Sequence, residues 1–199
     1  MIRFDEGAHA YYLHGVRVPS ITQMLRADGR IDTTWFTAEA RDRGSDVHAA
    51  VAAHALGALA RDEYEGRHRP YFLAAVDALA VLRPEIVAVE EPWIERRYRY
   101  GGRVDLAWRL HGAYGVCELK TGDPAKWHGI QTALQAIMAE QETGIPATSV
   151  QRHALYLGAN GRYRLHDFRK TLVSDFGAAR AILAKWAGRM EAWAPVEAW

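Results

Sequence analysis

The chain has 199 residues, 49% of them hydrophobic, a formal net charge of +1 and a single cysteine, Cys117. That much apolar material can bury a full core, so one domain over residues 1–199 is expected, while a lone cysteine excludes an internal disulfide and a four-cysteine iron–sulfur cluster. No apolar run reaches membrane-spanning length, and the polar start MIRFDEGAHAYY lacks the apolar core of a signal peptide, so a soluble cytoplasmic protein without membrane partners is expected.

The first 84 residues read as mainly helical. A short hairpin, Ala10 to Leu13 and Val16 to Val18 around His14 and Gly15, leads to Ser20-Ile21-Thr22-Gln23, a capping box that starts a helix running to about Arg26. Asp28 and Gly29 stop it. A longer helix is expected from near Thr34 to about Leu59 and another from Arg67 to Leu82, before Pro84. On the first of these, His48 shares a face with Val47, Val51, Gly44 and Arg41, and therefore points inward. A lone inward histidine is either a hydrogen-bonded core residue or a metal ligand. Arg41 on the same face is either a phosphate contact or a member of a surface ion pair.

Residues 85–170 read as a sheet. A strand is expected from Glu85 to Glu95, followed by two strands in which Val104, Leu106, Trp108 and Leu110 alternate with Arg103, Asp105, Ala107 and Arg109, and which run on through Ala113 to Lys120. If His111 and Gly112 form a two-residue turn, Leu110 pairs with Ala113, and counting back sets Asp105 opposite Glu118. Lys120 then lies on the same face. Two carboxylates opposed across a strand pair repel unless a cation sits between them, and so few protein ligands suit Mg²⁺ or Mn²⁺ better than Zn²⁺. A solvated hairpin face carrying ordinary charges is the alternative. Glu90 and Glu91 precede this hairpin; contact of one of them with the site through water is one account, and a charged strand end is the simpler one. Arg96, Arg97, Arg99 and Arg103, interleaved with Tyr98 and Tyr100, are candidate contacts to a nucleic-acid backbone, since the net charge of +1 requires any anion-binding footprint to be local.

Asp123 and Pro124 are an N-cap and first-turn proline for a helix running to about Thr143 and ended by Gly144. Its buried stripe is Trp127, Ile130, Leu134, Ile137 and Met138, with Gln131 at the edge and Gln135 farther round toward solvent. A second hairpin, Gln151 to Leu157 and Arg162 to Phe168, turns at Asn160-Gly161. Residues 171–199 close the chain with a helix from about Ser174 to Trp193, with Trp186 and Trp193 facing the core.

The residues GRVD ending at Asp105, the thirteen positions from there to Glu118, and the ELK ending at Lys120 together resemble the PD-(D/E)XK nuclease superfamily in its RecB-like form, where an aspartate in a GxxD sequence replaces the Pro-Asp pair. That group also carries a histidine on an upstream helix, often within RGxxVH, and a glutamine on the helix after the ExK strand; here RGSDVH ends at His48 and Gln131 begins QTALQ. The resemblance spans about Arg43 to Gln131. It implies an α/β (α+β) fold with an αβββαβ, restriction-endonuclease-like core, a mixed central sheet flanked by helices, and an N-terminal helical extension. It also implies Mg²⁺ or Mn²⁺ held by His48, Asp105, Glu118 and the Leu119 carbonyl, with Lys120 orienting the nucleophile and Gln131 contacting the site. The position four after that glutamine is often tyrosine in the group; this chain has Gln135. Lacking an iron–sulfur cluster, the chain resembles the phage lambda-type exonucleases most. The implied activity is a metal-dependent DNA exonuclease of phage DNA processing or recombination and repair, with DNA as partner and a recombinase or single-strand-binding protein beside it. A catalytically silent DNA-binding or assembly protein on the same fold, and an endonuclease, are the alternatives.

Overall fold

The computed structural model describes residues 2–31 and 37–190, with side chains as far as 187. Three short strands, β1 (Ile2–Asp5), β2 (Ala10–Leu13) and β3 (Val16–Val18), form an antiparallel sheet in the order β1-β2-β3. The β2–β3 hairpin follows the expected turn, with His14 and Gly15 both at positive φ, whereas β1 was not expected and makes the N-terminal part less helical than the sequence suggests. Ser20 and Gln23 form the expected capping box on α1 (Ile21–Ala27).

Helix α2 (Ala38–Ala55) is capped by the Thr37 side chain, and α3 (Arg69–Leu82) starts with Pro70 in its first turn. The part of the expected first helix around Thr34 lies outside the described residues. The main sheet has the order β4-β5-β6-β7-β8, built from β4 (Glu85–Glu95), β5 (Tyr100–Leu110), β6 (Ala113–Lys120), β7 (Gln151–Leu157) and β8 (Tyr163–Asp167). All its pairs are antiparallel except β6 with β7, which are joined by α4 (Trp127–Thr143). A 3-10 turn, Phe168–Thr171, leads into α5 (Leu172–Met190). The fold is thus α+β, a mixed five-stranded sheet with helices on both faces, in the expected strand and helix order. Helix α5 begins two residues before the expected Ser174, and Trp193 lies outside the described residues.

Two apolar layers flank the sheet. On one face α1, α4 and α5 pack over Tyr100, Val104, Ala107, Tyr114 and Val116, with Trp186 against the same layer; on the other, α2 and α3 pack over Leu106, Trp108, Leu110, Cys117 and Leu119. Helix α4 starts at Trp127, with Asp123 and Pro124 in the loop before it. The His128 ring accepts the Ala125 N–H at 3.3 Å, closing that loop with a side chain and taking the place of the expected Asp123 cap. Among the described residues no helix is long and apolar enough to cross a membrane.

Candidate active site

The β5–β6 hairpin turns at His111 (φ 52°) and Gly112 (φ 80°), and Leu110 pairs with Ala113 as the turn chemistry requires. The ladder runs regularly back to Leu106 opposite Cys117 and ends there, one step before Asp105 and Glu118. Beyond it the Leu119 N–H donates to the Asp105 carboxylate at 2.7 Å. At this point the pleat of β5 reverses: Val104 packs with the α4 layer, yet Leu106 packs with the α2 layer, although both are even-numbered. Asp105 and Leu106 therefore project together toward α2, although the β4–β5 register runs unshifted from Glu91 opposite Val104 to Val89 opposite Leu106. The neighbouring strand is irregular at the same level, where Glu90 sits at a left-handed φ of 49°. The expectation that Asp105 and Glu118 share one face is corrected accordingly. Glu118 keeps the regular alternation with Val116 and Tyr114 and faces α4.

The side chain that Asp105 meets is His48 of α2. His48 Nδ1 lies 3.4 Å from Asp105 Oδ1 and 3.4 Å from Glu90 Oε1, while its Nε2–H donates to the Leu119 carbonyl at 3.1 Å. One ligand atom from each of His48, Glu90 and Asp105 lies within 4.8 Å of the others. Glu90 Oε1 is buried and makes no well-aligned hydrogen bond; the His48 imidazole 3.4 Å away is its nearest cationic partner, and that proton must leave for a metal to take its place. Two carboxylates and an imidazole this close together fit a divalent ion of the Mg²⁺ or Mn²⁺ type. Burial by itself would lower the His48 pKa, but the adjoining Asp105 and Glu90 carboxylates outweigh it and raise the imidazole to about 10. Burial pushes the Asp105 carboxyl upward, and the His48 and Lys120 charges with the Leu119 N–H more than reverse this, leaving it below its ordinary value.

Glu118, Lys120, Gln131 and Gln135 form the other half of the site. Lys120 Nζ donates to Glu118 Oε2 at 2.7 Å and to Gln131 Oε1 at 3.0 Å, Gln131 Nε2 donates to Glu118 Oε2 at 2.6 Å, and Gln135 Nε2 donates to Glu118 Oε1. Gln135 is fully buried, not turned to solvent as its helical position suggested, because the Glu118 carboxylate and the Arg103 carbonyl draw its amide inward. Burial, and then the Asp105 charge, raise the Glu118 pKa, partly offset by Lys120 and Gln135. The expected ligands are thus split into two groups: His48 and Asp105 stand with Glu90, the Leu119 carbonyl is held by His48, and Glu118 is held by three protein donors.

Both groups line one cavity of about 890 Å³, together with Arg17, Arg26, Arg41 and Arg103. Arg103 NH1 is 3.6 Å from Glu90, and its NH2 is 3.8 Å from Glu6 in the turn after β1. The remaining arginines of the expected backbone cluster stand elsewhere. Arg96, Arg97 and Arg99 occupy the β4–β5 turn, and six residues of strand, roughly 20 Å, separate Arg99 from Asp105. Arg41 is where the sequence put it, on the cavity wall. Arg17 and Arg26 on the wall were not anticipated, and Glu90, for which a charged strand end is the simpler account from sequence, stands in the site itself. Glu90 did have a signal, because the four-residue turn between Glu95 and Tyr100 fixes a register that brings Glu90 level with Asp105. Compared with models of known protein families and with curated proteins, the sequence matches none.

Proposed function

We propose that this chain is a Mg²⁺- or Mn²⁺-dependent deoxyribonuclease of the RecB-like PD-(D/E)XK type, acting in the cytoplasm as an exonuclease in DNA processing, recombination or repair. The observation that supports it best is the His48–Glu90–Asp105 cluster, two carboxylates and an imidazole with ligand atoms within 4.8 Å of one another, in one cavity with the Glu118–Lys120 pair. A divalent ion held by His48, Glu90 and Asp105 would supply a Lewis acid and lower the pKa of a coordinated water toward neutrality. The protein's own residues account for the rest. The Asp105 carboxylate is kept ionised by its cationic neighbours and fixed in direction by the Leu119 N–H. Glu118, gripped by Gln131 and Gln135, holds the Lys120 ammonium in the cavity, where its charge offsets negative charge that builds on a phosphodiester under attack. Arg41 and Arg103 on the same wall suit contacts to the flanking phosphates.

One observation favours a second reading, a DNA-binding or assembly protein without turnover: Lys120 donates directly to Glu118 at 2.7 Å, and Gln131 and Gln135 donate to the same carboxylate, the arrangement of a structural ion pair. Incubating the protein with end-labelled linear DNA and with covalently closed circles, with and without Mg²⁺, separates the readings. The expected result is metal-dependent degradation of linear DNA without sequence preference, weakening as salt rises, and intact circles. Binding without any metal-dependent loss of label would favour the silent protein. Circles cut into discrete fragments would favour an endonuclease.

A further inference from the structure

The cavity at the His48 cluster continues along α2 into a second one of about 830 Å³, bounded by α2 and by the loop that leads into α4. The two share Arg26, Arg41, Gly44, His48 and Lys120 in their walls, so they form one groove with a common junction. Their charges differ. The first sets Glu90, Asp105 and Glu118 against its cations, whereas the second is lined by six basic side chains and one acid, Asp123; of the six, Lys120 and Arg30 are ion-paired with Glu118 and Asp28, and Arg26, Arg41, Arg43 and Lys126 make up the rest. In a chain whose net charge is only +1, that is a local concentration of positive potential directed at a polyanion.

Two further features narrow the kind of polyanion. The half-buried Trp127 ring lies in the wall of the second cavity with the Lys120 ammonium over it at 5.1 Å and the His128 ring packed edge-on against it, an aromatic pair joined to a cation. An unstacked base fits such a surface, and only a single strand presents one freely. At the junction, a Cβ built on Gly44 meets no atom within 4 Å. Glycine inside a helix is destabilising relative to alanine, and no neighbour crowds this position, so packing does not require it. What the missing side chain provides is open space where α2 borders both cavities.

Resting on the DNA reading above, we infer that a single strand of DNA runs through this groove, its backbone held by Arg26, Arg43 and Lys126 on the side remote from β5, and that Gly44 is where it passes α2. The hairpin-tip arginines take no part in this path.

Fluorescence anisotropy with a labelled oligo-dT of about twelve nucleotides, in EDTA, tests it apart from cleavage. A hairpin duplex of equal charge serves for comparison. The double variant Arg26→Ala/Lys126→Ala removes two phosphate contacts, so the slope of log affinity against log salt should fall by about 1.4. Gly44→Leu removes no charge but fills the junction; it should weaken oligo-dT binding at least about tenfold while the melting temperature holds or rises, since leucine is the better helix former. Arg180→Ala, exposed on α5, should change neither. An unchanged salt slope in the double variant, wild-type binding by Gly44→Leu, or tighter binding of the duplex than of oligo-dT would each overturn the inference. Oligo-dT binding that responds as described in a protein that never cleaves DNA would uphold the groove and remove only the nuclease reading.

Discussion

Metal binding at the His48 cluster should release a proton, and the size of the effect follows from the neighbours of the imidazole. With Asp105 and Glu90 beside it, His48 is protonated up to about pH 10, and Nδ1, the atom nearest both carboxylates, must lose its proton before it can bind a metal. At pH 7.5, well below that value, removing the proton opposes metal binding by a few kcal/mol, about 1.4 kcal/mol for each pH unit. Mn²⁺ affinity should therefore rise about tenfold per pH unit from pH 6.5 to 9, with close to one proton released per ion at pH 7.5. Titration calorimetry in two buffers of different ionisation enthalpy measures the proton count, and His48→Ala should abolish both the release and the pH slope. Proton release near zero, or an unaltered slope in His48→Ala, would refute the argument and return His48 to the role of a core histidine.

Because the folded His48 pKa lies above its ordinary 6.5, the stability it contributes is present in full below pH 6.5 and is lost as pH rises through about 10. The metal-free protein should accordingly melt at progressively lower temperature over that interval, and a flat profile would show that the two carboxylates do not act on the imidazole. Asp105→Ala and Lys120→Ala should each lower DNA cleavage by about 100-fold or more while leaving the circular-dichroism spectrum unchanged; near-normal hydrolysis by both would sink the assignment. Gln135→Leu withdraws a donor from the buried Glu118 carboxylate and should cost about 1–3 kcal/mol in urea unfolding, with no loss expected if that amide is idle. Gly101→Ala would bring its Cβ within 2.2 Å of Tyr11 Cγ, a ring atom that cannot swing away, so it should destabilise by about 1–3 kcal/mol and loosen the small N-terminal sheet from β5.

The parts of this protein governed by near neighbours in the chain could be read without a structure. His111-Gly112 forces a two-residue turn, the turn fixes the β5–β6 register, and period-two alternation carries Glu118 and Lys120 onto one face. The Ser20–Gln23 capping box and the Gly144 helix stop are equally local. What the chain could not reveal was settled by contacts between distant segments. Strict alternation would put Asp105 with Glu118, but the pleat of β5 reverses between Val104 and Leu106, level with the left-handed Glu90, and Asp105 joins His48 and Glu90. Gln135 looks like a surface residue on a helical wheel, yet a buried carboxylate needs donors, and it lies at the right height on α4 to supply one. The basic groove depends on tertiary structure alone, since Arg26, Arg43 and Lys126 come from three elements that only folding brings to one wall. Turn chemistry and side-chain period act over a few residues, whereas a reversed pleat and a shared cavity depend on which elements pack together.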